Sequence, residues 1–179
     1  MLSPPVVLVT GVPGSVKTTL ARRLSPALGL PLLSKDVVKE TLFDVLGAGD
    51  QAWSTRLGAA ANEVLWSLLA DCPTGAVVDV WLDPVRDAGF AGRGLARAGI
   101  QTAYEVRCDC PGPLAAQRYA DRRRHPGHLP ADEATLDRIR AAAPGMVGLG
   151  VGPALQVDTN RPVDLASVTE WVRRAMGAT

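Results

Sequence analysis

The clearest chemistry in this sequence is carried by Gly11-Val12-Pro13-Gly14-Ser15-Val16-Lys17-Thr18. These residues follow an apolar run and open an amphipathic stretch, the setting that a phosphate-binding loop requires. In such a loop, successive backbone N–H groups turn inward around β- and γ-phosphate oxygens. The helix N-terminus adds its partial positive charge. Lys17 would bridge the same oxygens, and the Thr18 hydroxyl would ligate Mg²⁺. Lysine is rare here, because every basic residue other than Lys17, Lys35 and Lys39 is arginine. Thr19 completes the candidate nucleotide-binding residues. One position departs from the pattern G-x-x-x-x-G-K-[ST], which has glycine where this chain has Val16. Position 16 opens the helix, where ordinary torsions suffice, so the expected difficulty is crowding of the phosphate. Either the loop is adapted, with Val16 in helical φ/ψ and its side chain turned into the helix–sheet contact, or Val16 weakens nucleotide binding.

Other groups could complete a site. Asp79 interrupts the apolar run Val77-Val78-Asp79-Val80-Trp81. A lone carboxylate among buried valines costs several kcal/mol unless it is paired or near a cation. A Mg²⁺ site, an acceptor pocket or an arginine partner would each compensate. Asp36 stands just past the second strand, at the end of the sheet where open α/β folds bind ligands. It could also simply cap a helix beginning at Val37. Lys39, one turn on, could reach the same pocket or be an exposed helix charge. Asp83-Pro84 reads as an N-cap followed by proline at the first helical position. Arg86, one turn in, is a candidate for facing a substrate. Arg118, Arg122, Arg123 and Arg124 form the densest charge cluster. Arg118 and Arg122, at i and i+4, would share a helical face. Guanidinium forks suit phosphate oxygens, although a solvated face is the plainer reading.

The elements that must position these groups alternate. Strands are expected at Val6–Val9, Leu30–Leu33, Ala76–Trp81, Thr102–Cys108 and Ala154–Val157. Helices are expected at Thr18–Leu28, Val37–Leu46, Arg56–Ala70, Pro84–Ala98, Leu114–Arg124, Asp132–Ala142 and Val163–Met176. Such alternation implies a parallel sheet covered by helices on both faces. At 179 residues the chain is expected to be one domain, large enough for a core without disulfide or metal staples. Net charge is +1, which gives no global field for steering onto nucleic acid or anionic membrane. No run of about 18 apolar residues occurs. No signal peptide is visible, and Cys72, Cys108 and Cys110 lack ligand-like spacing. Reduced thiols in a cytoplasmic protein are therefore expected.

The loop and the segment Ser34-Lys35-Asp36 make the chain resemble the small P-loop kinases grouped with chloramphenicol phosphotransferase, zeta toxins, gluconate kinase and the polynucleotide kinase domain. The resemblance is strongest over residues 6–40 and looser through Asp79, the arginine cluster and Val157-Asp158-Thr159-Asn160. It implies a three-layer α/β fold with a five-stranded sheet in the order 2-3-1-4-5 and a lid at about residues 118–130. It further implies ATP- and Mg²⁺-dependent phosphorylation of a hydroxyl. Asp36 would contact the acceptor hydroxyl, orient it and take its proton. Lys39 would serve the acceptor pocket, Asp79 the metal or acceptor, Arg118 and Arg122 the ATP phosphates, and Asn160 the adenine side. The expected acceptor is a small metabolite, nucleoside or antibiotic. Nucleic acid is disfavoured for want of an aromatic-basic groove, and no obligate protein partner is evident. Two other functions stay open: a nucleotide-binding protein impaired by Val16, and a toxin-like kinase acting on a cell-wall sugar nucleotide.

Overall fold

The computed structural model describes residues 4–84, 87–128 and 130–177. Strand β1 (Val6–Thr10) is buried along its whole length. Val6 and Leu8 point into one core cluster, and Val7 and Val9 into another on the opposite face. This is why its apolar run does not alternate. Helix α1 (Lys17–Leu28) packs on the second of these faces, burying Leu20, Ala21 and Leu24. Gly29 then ends it in a left-handed turn at φ 69°. Strand β2 (Leu32–Ser34) leads directly into α2 (Lys35–Leu46), and Gln51–Ala70 forms α3. Strand β3 (Ala76–Asp79), α4 (Ala88–Arg97), β4 (Tyr104–Asp109), α5 (Gly112–Asp121) and α6 (Glu133–Ala142) follow. A short 3₁₀ turn (Ala143–Gly145), β5 (Ala154–Asp158) and α7 (Leu165–Gly177) complete the chain.

The five strands are parallel in the order β2-β3-β1-β4-β5. Helices cover both faces, so the expected three-layer order stands. Trp66 on α3 and Leu95 on α4 close one face; Val168 and Val172 on α7 close the other. A third cluster joins Val12 to Ala115, Ala116 and Ile139 and seats α5 and α6 beside the loop.

Several element boundaries differ from the expectation. Strand β3 stops at Asp79, the last residue in register with β1 and β2, although the Val80 N–H still donates to the Val9 carbonyl at 3.2 Å. Helix α4 starts at Ala88, not Pro84, and the Asp83 backbone N–H donates to Asp87 Oδ2 at 2.9 Å. Helix α5 ends at Asp121, and Arg122 is already extended at ψ 138°. Helix α3 starts five residues earlier than its apolar stripe suggests, because Asp50 caps it by accepting from the Trp53 N–H.

Candidate functional site

The loop between β1 and α1 is shaped by two glycines. Gly11 has φ 141°, and a Cβ there would lie 2.5 Å from Ser15 Oγ and 2.8 Å from the Cys108 carbonyl. Gly14 has φ 85°, and a Cβ there would lie 2.0 Å from the Ala115 carbonyl. The Ser15 N–H donates to the Val12 carbonyl and closes the turn. The Ser15 hydroxyl is buried without a partner. Lys17, the first residue of α1, is 7% exposed.

Val16 corrects the expectation made for it. Its φ is 66° and its ψ 9°, and it is the one non-glycine described residue with positive φ. The expected helical torsions do not occur. Its side chain lines the clefts above the loop and is not turned into the helix–sheet contact. Left-handed torsions at Gly14 and Val16 aim the intervening amides into the loop, as an anion nest requires. That need overrides the ordinary freedom of a residue opening a helix. A β-branched side chain pays of order 1–3 kcal/mol for such a conformation. Val16→Gly is therefore expected to raise ATP affinity tenfold or more, about 1.4 kcal/mol. Its stability should be equal or slightly higher, since relieved strain opposes the extra freedom of glycine in the unfolded chain. Titration calorimetry and thermal melts check both. An unchanged or weakened affinity would mean that the loop is built around valine.

Two adjoining clefts open over the loop. The inner one, about 170 Å³, is lined by Gly14, Val16, Lys17, Thr18, Thr19, Arg118 and Arg122. The outer one, about 350 Å³, runs past Thr19, Arg23 and Arg118 to Thr159, Asn160, Arg161, Pro162 and Val163. Arg118 is anchored by donating to the Thr159 carbonyl at 3.0 Å. Arg122 comes to the inner cleft from beyond the helix end, not along the shared face its spacing suggests, and lies over the Tyr119 ring at 5.4 Å. Arg123 is exposed, and Arg124 packs on Tyr119. Arg23 was missed from the sequence, yet it lies four residues after Thr19, on the same helical face.

Asp79 is 2% exposed. Ser34 Oγ donates to its Oδ2 at 3.1 Å, and its Oδ1 has no partner. No arginine among the described residues pairs with it. An orphaned, buried carboxylate oxygen at the carboxyl end of the strand beside β1 fits a cation site. With the Thr18 hydroxyl it could hold Mg²⁺.

Asp36 does not cap α2. That helix begins at Lys35, with Ser34 at the N-cap, and Asp36 lies in its first turn. Burial alone would raise its pKa, but Lys17 and Lys35, with His128 and Arg122 behind them, hold the carboxyl below the usual range. Lys35 Nζ is 3.8 Å away. Burial lowers the Lys35 pKa in turn, against the pull of Asp36.

Beyond Asp36 opens a larger cavity, about 500 Å³. Pro13 faces this cavity, not the nucleotide clefts, as do Lys39, Ser54, Trp81, Tyr119 and His128. Lys39 is no exposed helix charge: it is 9% exposed and donates to Ser54 Oγ at 2.9 Å. Arg86 lies outside the described residues. The turn at residues 125–128 clasps α2. His125 pairs with Asp44 at 2.9 Å and His128 with Glu40 at 3.0 Å, and Phe43 stacks on His125. A Cβ on Gly127 would lie 2.4 Å from the Phe43 ring. Gly127→Ala should thus unseat this turn and raise hydrogen exchange over residues 122–128 relative to the parent, while β1 to β4 keep their protection.

Among the described residues no helix is long and apolar enough to cross a membrane. No curated protein matches the chain in sequence. Among solved structures, a candidate kinase from Chloroflexus aurantiacus is similar at 31% identity and TM-score 0.81, covering 97% of this chain and 99% of that one. Shikimate kinase from Acinetobacter baumannii, in complex with shikimate, shares the fold at 17% identity and TM-score 0.64, over 98% and 94% of the two chains. A gluconokinase from Sinorhizobium meliloti does so at 18% identity and TM-score 0.55, over 98% and 95%. Residues 6–145 match the AAA_33 family, described as an AAA domain. With that match spanning the nucleotide loop, four of the five strands and the arginine-bearing helix, the chain belongs to the AAA_33 family and has the fold of a P-loop kinase.

Proposed function

We propose that this protein is an ATP-dependent kinase, acting as a single unit over residues 1–179, that phosphorylates a hydroxyl group of a small molecule. The position of Asp36 supports this reading most directly. Lys17 and Arg122, which line the nucleotide side, act on its charge. So does His128, which with Lys39 lines the 500 Å³ cavity on the other side. A carboxylate kept ionised between a phosphate loop and a cavity is placed to receive a proton from an acceptor hydroxyl. As that proton moves to Asp36, the hydroxyl oxygen bonds to the γ-phosphorus. The bond from the γ-phosphorus to the bridging oxygen breaks, and its electron pair leaves with ADP. Lys17, Arg118 and Arg122 offset the charge on the transferred group. When bound, Mg²⁺ held by Thr18 and Asp79 would neutralise phosphate charge. Asn160 would border the adenine.

The test is ATP turnover against a library of hydroxyl-bearing metabolites, nucleosides and antibiotics, with mass spectrometry reading the added phosphoryl group. ATP binding without phosphorylation of any acceptor would overturn the reading. It would favour the alternative of a nucleotide binder without turnover, for which the left-handed Val16 is the specific observation.

A further inference from the structure

The cavity beyond Asp36 has a charge pattern that narrows what can occupy it. Lys39 presents its ammonium group to this space, nine-tenths buried. Its contacts are the Ser54 hydroxyl and the face of Phe43, 5.3 Å from the ring centroid. No carboxylate of a described residue pairs with it. The nearest charge of its own sign makes matters worse. A Cβ on Gly58 would lie 3.8 Å from Lys39 Nζ and 3.9 Å from Lys35 Nζ, so the two ammonium groups flank one point. Asp36 already pairs with Lys35, at 3.8 Å. Burial, with Lys35 adding to it and Asp36 pulling the other way, brings the Lys39 pKa down to about 8, so at neutral pH most of the charge survives with no carboxylate in direct contact with it.

A second cation lines the same cavity from α6. Arg138 donates to the Ala134 carbonyl and the Thr135 hydroxyl and makes no ion pair at contact distance with another described residue. Burial lowers the pKa of His128, against the pull of Glu40. Asp83 is the one carboxylate among the described lining residues. Gln51, Ser54 and Thr135 add neutral polar groups, and Pro13, Trp81 and Ile139, with the Tyr119 ring, supply apolar wall.

Burying an ammonium group without a counter-ion costs several kcal/mol in folding. A fold that keeps one inside a cavity implies that the counter-ion arrives with the occupant. We infer that the acceptor is a small hydroxy acid, or another hydroxyl compound bearing a single anionic group. That group would sit on Lys39 and Ser54, its compact apolar body against Trp81 and Ile139, and its hydroxyl at Asp36. This rests on the kinase reading for the role of Asp36, but the anion site stands on the cavity itself.

The experiment pairs each acid with its neutral amide: glycerate, 3-hydroxybutyrate, quinate and 4-hydroxyphenyllactate, with glycerol 3-phosphate set against glycerol. Binding is measured by calorimetry in the presence of a non-hydrolysable ATP analogue, and turnover separately by mass. At least one acid or phosphate should bind tenfold or more tightly than its neutral partner. Lys39→Met should remove most of that preference and Lys39→Arg should restore it. An occupant held by shape alone would keep its acid-to-amide ratio in both variants. Preference for carboxylates over glycerol 3-phosphate, or the reverse, identifies which anion the site takes. If neutral compounds are phosphorylated and no anion binds, the kinase reading stands and the anion inference is overturned. If acids bind through Lys39 but nothing is phosphorylated, the inference stands and the kinase reading fails. If no acid or phosphate binds, the inference is overturned whatever the turnover shows.

Discussion

Lys17→Ala should abolish phosphoryl transfer and leave the fold standing. Lys17 lines the inner cleft beside Gly14, Thr18 and Arg122. Its ammonium group is nearly enclosed, and it makes no hydrogen bond or ion pair with another described residue. A cation held this way has its partner in the ligand. Removing one preorganised charge from a transferring phosphoryl group costs on the order of a hundredfold to a thousandfold in turnover. Turnover of Lys17→Ala is therefore expected at or below about a hundredth of the parent. The folding side runs the other way. Truncating this buried ammonium forfeits packing of its methylenes and its attraction to Asp36 but relieves desolvation. The melting temperature should stay within a few degrees of the parent. Steady-state turnover and a thermal melt on the same preparation decide the matter. Turnover above a tenth of the parent with an intact fold would sink the phosphate-loop assignment.

The centre of the sheet was legible from the residues because β1 and β3 carry their burial in their composition. Val6–Val9 reads as buried on both faces and is. Alternation and crossover handedness imply the parallel sheet with helices on both faces, whereas the strand order is what the family resemblance implies. Local torsions were less legible. Val16 looks unconstrained in sequence because it precedes a helix. Its left-handed φ is imposed by the loop that has to turn its amides inward. The arginine cluster shows a related limit. Its helical spacing suggests one face, but α5 stops at Asp121. The two arginines still meet at the inner cleft because an extended Arg122 reaches back to it. Least legible was the 500 Å³ cavity. Its wall joins Pro13, Lys39, Trp81, Tyr119 and Ile139 from five separate elements or loops. No spacing rule brings such residues together, and only the tertiary packing of α2, α3, α5 and α6 does.

The burial of Lys39 sharpens what should be expected of Asp36, its neighbour one turn earlier. Asn keeps the shape of Asp and removes its charge. With Ser34 at the N-cap, Asp36→Asn touches no capping bond. It does remove a negative charge from the first turn of α2, worth about 0.3–1 kcal/mol. It also leaves Lys17 and Lys35 without their shared counter-charge. A loss of a few degrees in melting temperature is expected at neutral pH, but not unfolding. That loss should shrink in acid. The folded pKa of Asp36 is depressed, so its stabilisation is present above the ordinary carboxylate range and vanishes as pH falls through the folded value. Turnover should respond far more. If the carboxylate receives the acceptor proton, its loss lowers kcat by about 10²–10⁴-fold. The same surrounding cations set the parent's pH profile: a base held ionised by Lys17 and Lys35 should sustain kcat to below about pH 4. Any fall in the parent's kcat between pH 7 and 5 should therefore persist in Asp36→Asn, because it belongs to another group. A variant that keeps more than a tenth of parental turnover would show that Asp36 only balances charge, leaving the hydroxyl proton to pass directly to the phosphate.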